Sequence, residues 1–147
     1  MINFLLKNPS LYRFYQKMVR AHHDEYDLFK FIFKQKNFQN IRMLDICCGD
    51  SYILEHISEY VDDYIGIDNN EKYLKKCQEQ WKNFKFMNLD LNNKLNINHL
   101  IEFNPNFIFI NGAIHHLDDE TVRSINLFIS KNFPKSLFLS VDPIKHK

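Results

Sequence analysis

Residues 43–57 read MLDICCGDSYILEHI and hold the most informative pattern in the chain. An apolar run ends at Asp45, and two cysteines and Gly49 separate it from a segment whose apolar residues have helical spacing. A buried strand, a short turn and a helix are typical of the first unit of a parallel α/β sheet. Because the chain has only three glycines, Gly49 indicates a sharp turn or a place where a ligand approaches the backbone.

The composition predicts one globular domain. The chain has 147 residues, of which 45% are hydrophobic and 25% are charged, with a net charge of +1. This balance argues against a dedicated nucleic-acid binder, and no apolar run is long enough to cross a membrane. Three cysteines without a Cys-x-x-Cys spacing predict a reducing, cytoplasmic setting and no metal site. The pair His22 and His23 lacks a third ligand in register and favours a polar helix junction.

The pattern of 43–57 repeats along the chain. It predicts strands at 41–46, 64–68, 85–90, 106–111 and 136–142. Helices are predicted between them at 51–60, 70–81, 97–103 and 118–132. Strands that alternate with helices form a parallel sheet with right-handed crossovers. We therefore predict an α/β, Rossmann-like three-layer sandwich over residues 39–147.

Residues 1–38 are predicted to form a helical cover that belongs to the same domain. Ser10 is suited to cap a helix that runs to about Arg20. Asp24 is suited to cap a second helix, whose predicted apolar face contains Leu28, Phe31 and Ile32.

Carboxylates stand at three of the predicted strand ends, where parallel sheets bind ligands. These residues are Asp45, Asp68 and Asp90. An acidic residue at the position of Asp68 is typical of a ribose partner, while Asp68 or Asn69 is also suited to cap the next helix, and the two roles can coexist. The turn at Gly49 lacks the further glycines that a pyrophosphate requires, so we predict a cationic ligand instead.

Four segments, in order, resemble the motifs of class I S-adenosylmethionine-dependent methyltransferases. LDICCGDS (44–51) is similar to their glycine-rich motif I, and YIGIDNN (64–70) to their acidic second-strand end. FMNLDL (86–91) and FIFINGAIHHLDDE (107–120) are similar to the third and fourth strand ends. The resemblance implies a strand order of 3-2-1-4-5. The family usually continues beyond the fifth strand, so the C-terminal strands of its seven-stranded sheet are expected to be absent.

The resemblance also implies the site residues. The expected cofactor-binding residues are Asp45, Cys47, Cys48 and Gly49 at the methionine end, Asp68 and Asn69 at the ribose, Asp90 and Leu91 at the adenine, and Asn111 and Gly112 at the sulfonium. His115 and His116 are the candidates for a catalytic base, or else they cap or pack at the helix start.

Two residues depart from the family's glycine pattern. Cys47 and Ser51 replace two usual glycines, so a positive φ at Cys47 implies strain. We expect Cys47 and Cys48 to pack under the turn rather than to react.

The sequence therefore predicts a methyltransferase that uses S-adenosyl-L-methionine, releases S-adenosyl-L-homocysteine and acts on a small-molecule acceptor. One alternative is a shortened module that binds the cofactor without catalysis. Another is a different nucleotide-binding enzyme, such as a dehydrogenase, which would need a phosphate-cradling turn. A homodimer through the exposed edge of the fifth strand is also expected.

Overall fold

The computed structural model of the chain describes residues 23–35, 39–89 and 97–142. Its helices are α1 (His23–Gln35), α2 (Leu54–Ile57), α3 (Glu71–Gln80), α4 (Ile97–Phe103) and α5 (Asp119–Asn132). Its strands are β1 (Arg42–Ile46), β2 (Asp63–Asp68), β3 (Lys85–Asn88), β4 (Phe107–Asn111) and β5 (Leu137–Val141). Short 3₁₀ turns cover Ser58–Tyr60 and Ile114–His116.

The five strands form one sheet in the order β3-β2-β1-β4-β5. All four neighbouring pairs are parallel, and Asp45 of β1 pairs with Gly66 of β2 and with Phe109 of β4. The predicted fold class and strand order are therefore confirmed. Because the strands are parallel, their carboxyl ends lie at the same edge of the sheet, which is where a site is expected.

Strand residues alternate between two buried clusters, one on each face of the sheet. One cluster joins Met43, Tyr64, Phe107 and Phe109 to the buried side chains of α1 and α2. The other cluster joins strand residues such as Leu44, Ile46, Ile108 and Ile110 to α4 and α5. Helices on both faces complete the three predicted layers.

Helix α1 packs through a different face from the predicted one. Tyr26, Phe29 and Phe33 are buried, whereas Leu28 is 40% exposed and Phe31 is 60% exposed. The Phe29 ring meets the Phe109 ring edge-on, with centroids 4.7 Å apart. The apolar run of this helix offers two stripes with helical spacing, and the aromatic stripe buries the larger area against the sheet. The predicted face was wrong for Leu28 and Phe31, while Ile32 packs partly buried against the core.

Two helix beginnings also differ from the prediction. Asp24 lies inside α1, whereas a cap stands before the first helical residue. At the start of α3, the side chain of Asn70 accepts from the Lys72 N–H, so neither Asp68 nor Asn69 is the cap. The predicted helix at 10–20 lies outside the described residues.

The helix predicted at 51–60 is shorter, and its last residues form the 3₁₀ turn. Ser51 has a φ of +50° and its N–H donates to the Cys48 carbonyl at 2.8 Å, so the preceding turn continues through Ser51. Within the described ranges, no helix is both long and apolar enough to cross a bilayer.

Candidate functional site

The candidate site lies at the carboxyl edge of the sheet, where backbone hydrogen bonds connect the turns. The Cys48 N–H donates to the Ile67 carbonyl at 3.0 Å, which joins the turn after β1 to β2. The Gly112 N–H donates to the Val141 carbonyl at 2.7 Å, which joins the turn after β4 to β5. The ends of four strands are thus held in fixed relative positions.

Asp68 connects two of these turns through its carboxylate. Its Oδ2 accepts from the Gly49 N–H at 2.9 Å, and its Oδ1 accepts from the Asn70 N–H at 2.8 Å. Each carboxylate oxygen has a second lone-pair direction, so Asp68 can still accept two protons from a ligand. A ribose presents two neighbouring hydroxyls that fit this geometry. Asn69 is exposed beside it.

Gly49 and Gly112 leave space at the turns after β1 and β4. Gly49 has a φ of +54° and Gly112 a φ of +60°. A Cβ added at either position would meet no heavy atom within 4 Å. A ligand can therefore lie directly against the backbone at two neighbouring strand ends.

Asp45 lies beneath the turn and is only 3% exposed. The Tyr64 hydroxyl donates to its Oδ2 at 2.6 Å and lies 3.1 Å from Ser51 Oγ. Burial raises the pKa of Asp45 to about 7, although the Tyr64 hydrogen bond lowers it and the charge of Asp68 raises it further. Contact between Asp45 and the methionine end of a ligand stays a prediction.

Gly66 makes the contact between Tyr64 and Asp45 possible. A Cβ at Gly66 would lie 3.0 Å from an atom of the Tyr64 ring and 2.9 Å from Cys48 Sγ. The ring crosses the position where a larger residue would stand, which lets the hydroxyl reach Asp45 on the neighbouring strand. The hydrogen bonds from Tyr64 were not predicted from the sequence. The sequence feature that could have indicated them is the Tyr-x-Gly spacing at 64–66, on the strand predicted to lie next to the strand that contains Asp45.

The thiols near Gly49 are protonated and packed. Burial raises the pKa of Cys47 to about 12, and the charges of Asp68, Asp45 and Asp142 raise it further. Burial also raises the pKa of Cys48. A high pKa suppresses the reactive thiolate, so these values favour the predicted packing role.

Cys47 has a φ of +59°, which meets the condition for strain stated from the sequence. A side chain in this region costs about 1–3 kcal/mol. We expect Cys47→Gly to raise the free energy of unfolding by about 1 kcal/mol, since glycine removes this cost but loses more backbone entropy. Urea denaturation measures the change. Cys47→Ala is the control because it removes the thiol and keeps the strain. Equal effects of the two substitutions would contradict the interpretation.

The two candidate histidines have different environments. His115 Nδ1 lies 2.7 Å from Asp142 Oδ1, and the side chains of His115 and Asp142 are 25% and 21% exposed. His116 is exposed, with its ring centroid 3.8 Å from that of His115. Asn111 ends β4 and is half-buried. The sequence predicted a strand that ends at position 142 but not this contact, because Asp142 and His115 are 27 positions apart.

Asp90 and Leu91, the predicted adenine partners, lie outside the described residues. In the part of the chain that is described, no group of three or more His, Cys, Asp or Glu side chains is arranged to hold a metal ion.

Comparisons with known proteins agree with this geometry. A family model described as a methyltransferase domain matches residues 43–128, which is more than half of the chain. A search of curated proteins found no match.

Solved structures share the fold at low sequence identity. An S-adenosylmethionine-dependent methyltransferase from Clostridium acetobutylicum is 16% identical, with a TM-score of 0.73 over 89% of this chain and 55% of its own. A TehB-like S-adenosylmethionine-dependent methyltransferase from Corynebacterium glutamicum is 14% identical, with a TM-score of 0.64 over 90% of this chain and 73% of its own. CalS10, an amino pentose methyltransferase from Micromonospora echinaspora, is 16% identical, with a TM-score of 0.63 over 81% of this chain and 51% of its own.

The chain spans about half the length of the first of these structures. The match at 43–128 begins in β1 and extends into α5, so it includes the turns at Gly49, Asp68 and Gly112. The predicted family is thereby confirmed: the chain belongs to the methyltransferase-domain family and has the Rossmann-like fold of the solved S-adenosylmethionine-dependent methyltransferases.

Proposed function

We propose that the protein is an S-adenosylmethionine-dependent methyltransferase that acts on a small-molecule acceptor. The observation that carries the proposal is the hydrogen bond from the Gly49 N–H to Asp68 Oδ2. This bond holds an open glycine turn next to the carboxylate of Asp68, to which we assign the ribose, at the carboxyl edge of the sheet. Family membership and the titles of the solved structures support the same activity.

The charges at this edge favour a sulfonium over a diphosphate. Asp68 ends β2 and Asp142 follows β5 at this edge, whereas the buried Asp45, whose pKa is raised to about 7, is partly protonated at neutral pH. A diphosphate placed among these carboxylates would be repelled, whereas a cation would be attracted. The single glycine of the turn also lacks the phosphate-cradling pattern of dehydrogenases. These features support S-adenosylmethionine, rather than the dinucleotide of a dehydrogenase, as the ligand.

The proposal assigns the residues around the cofactor as follows. Asp68 and Asn69 hold the ribose, the backbone of Cys47–Gly49 and the Asp45 carboxylate hold the methionine end, and Asn111 and Gly112 flank the reacting methyl group. Asp90 and Leu91 keep their predicted place at the adenine. When bound, S-adenosylmethionine supplies a methyl group already activated by a positive sulfur. The protein then has to align the acceptor, exclude water and remove a proton.

His115 is the better of the two predicted bases. Its ring is held by Asp142 and is partly buried, whereas His116 is exposed. A base that is held in one orientation loses less entropy when it meets its substrate.

The proposal extends to the setting of the protein. All three cysteines are free, which supports a cytoplasmic location.

Within the described residues β5 is an edge strand, and its Leu137 is 39% exposed, which supports a homodimer through this edge.

Isothermal titration calorimetry tests the proposal with S-adenosylmethionine, S-adenosylhomocysteine and NAD⁺. We expect the first two to bind and NAD⁺ not to bind, because only NAD⁺ carries a pyrophosphate. Release of S-adenosylhomocysteine in the presence of a panel of small hydroxyl and amine compounds then reports turnover. Binding without turnover would identify a cofactor-binding module, and binding of NAD⁺ alone would overturn the proposal.

A further inference from the structure

We infer that Asp142 is a positioning residue that fixes His115 as the base for a neutral hydroxyl or amine acceptor. The inference rests on the proposed function and deepens it, because it names the chemical class of the acceptor. The contacts that carry it lie at the ends of β4 and β5.

The hydrogen bond between Asp142 and His115 determines which ring nitrogen can take a proton. A carboxylate only accepts hydrogen bonds, so at 2.7 Å from Asp142 Oδ1 the Nδ1 atom of His115 has to carry its hydrogen. In the neutral ring the lone pair is then on Nε2, on the opposite side from Asp142. The pair therefore leaves one defined atom available to remove a proton.

Asp142 also holds the backbone of the same turn. The N–H groups of Ile114 and His115 both lie 3.3 Å from its carboxylate oxygens. One side chain thus fixes the turn and the ring that the turn carries. The hydrogen bond from the Gly112 N–H to the Val141 carbonyl anchors the whole arrangement to the sheet.

The surroundings of the pair place it in the proposed site. Gly112, three residues before His115, has open space where a side chain would stand. The turn at Cys47 follows β1, which is the neighbour of β4 in the sheet. The His116 ring lies against the His115 ring, with centroids 3.8 Å apart. The pair is thus at the edge of the sheet where the acceptor has to meet the methyl group.

The transfer step balances with His115 as the base. The acceptor oxygen or nitrogen forms a bond to the methyl carbon, and the carbon–sulfur bond breaks with its electron pair left on sulfur. The acceptor proton moves to Nε2 of His115, and the resulting imidazolium is stabilised by Asp142. An acceptor that is already an anion, such as a carboxylate, has no proton to lose. An oriented base is useful for a hydroxyl or an amine.

Nuclear magnetic resonance of histidine labelled with ¹⁵N tests the positioning role without any cofactor. In the neutral ring of His115 we expect hydrogen on Nδ1 and none on Nε2. Asp142→Ala should convert this single form into a mixture with hydrogen on Nε2. Asp142→Asn should largely restore the Nδ1–H form, since its amide oxygen accepts. Asp119→Asn, in the exposed first turn of α5, is the control and should change nothing. Hydrogen on Nε2 in the unmodified protein would overturn the inference.

Kinetics test the role in transfer to a hydroxyl or amine acceptor. We expect His115→Asn to lower kcat by about 100-fold or more, the usual contribution of a general base. We expect Asp142→Ala to lower kcat by about 10-fold, while calorimetry shows the affinity for S-adenosylmethionine unchanged in both variants. Unchanged kcat in His115→Asn would overturn this inference and leave the proposed function standing. Failure of the unmodified protein to bind S-adenosylmethionine would instead overturn the proposed function, and the resonance experiment would still decide the role of Asp142.

Discussion

Asp68→Ala is expected to weaken the binding of S-adenosylmethionine and S-adenosylhomocysteine by about 100-fold. In the proposed assignment, the substitution removes two hydrogen bonds from ribose hydroxyls to a charged group, each worth about 1.5–3 kcal/mol, and 1.4 kcal/mol corresponds to tenfold in affinity. It also releases the N–H groups of Gly49 and Asn70. Isothermal titration calorimetry measures the affinities, and circular dichroism checks that the variant is folded.

Asp63→Asn is the matched control for this prediction. Asp63 begins the strand that Asp68 ends, so it lies at the opposite edge of the sheet. We expect its substitution to leave both affinities unchanged. Equal losses in the two variants, or full affinity in Asp68→Ala, would show that Asp68 does not hold the ribose.

Asp45→Asn is expected to change how stability depends on pH. The pKa of Asp45 is raised from 3.8 to about 7 by burial, so the folded protein holds this proton at pH values where the unfolded chain has lost it. The stability that the protonated group contributes is fully present below about pH 4 and is lost as pH rises through about 7. The cost of the buried charge at pH 8 is about 4 kcal/mol. Asparagine carries no charge, so the variant avoids that cost.

Urea denaturation at pH 4, 6 and 8 gives the free energy of unfolding of the variant and of the unmodified protein, and the difference between the two values measures the effect. Relative to the unmodified protein, Asp45→Asn should gain about 4 kcal/mol of unfolding free energy between pH 4 and pH 8. This difference removes the contribution of the other titrating groups, because both proteins contain them. Leu28→Ala, on the exposed side of α1, changes no titrating group and should give a difference that does not depend on pH. A difference for Asp45→Asn that stays the same at all three pH values would contradict the raised pKa of Asp45.

The sheet was predictable from the sequence because its signals are local and repeated. Each of the five strands is an apolar run followed by turn residues, and each observed strand lies within two residues of its predicted limits. The order β3-β2-β1-β4-β5 followed from the resemblance and is confirmed. Parallel topology then placed the ends of β1, β2 and β4 at one edge without any knowledge of side-chain contacts.

Choices between equivalent local patterns were less predictable. Helix α1 has apolar residues on more than one side, and only the shape of the sheet decides that Phe29 rather than Phe31 is buried. Asp68, Asn69 and Asn70 are all good caps by residue type. Asp68 instead bonds to Gly49, a contact between residues 19 positions apart that leaves the cap to Asn70.

The side-chain networks of the site were not predictable because they join distant parts of the chain. Tyr64 reaches Asp45 only because Gly66 leaves room for its ring. His115 meets Asp142 only because β4 and β5 are neighbours. Asp45 and His115 were identified from the sequence, but their partners depend on strand register and rotamer.

The carboxylate of Asp68 has a consequence for local opening of the protein. It joins the turn after β1 to the turn after β2, so neither turn can open without breaking a bond to the same side chain. The two turns should therefore fluctuate together, as one cooperative unit. A ligand that binds the outer lone pairs of this single residue would restrain both segments at once, including backbone that it does not touch.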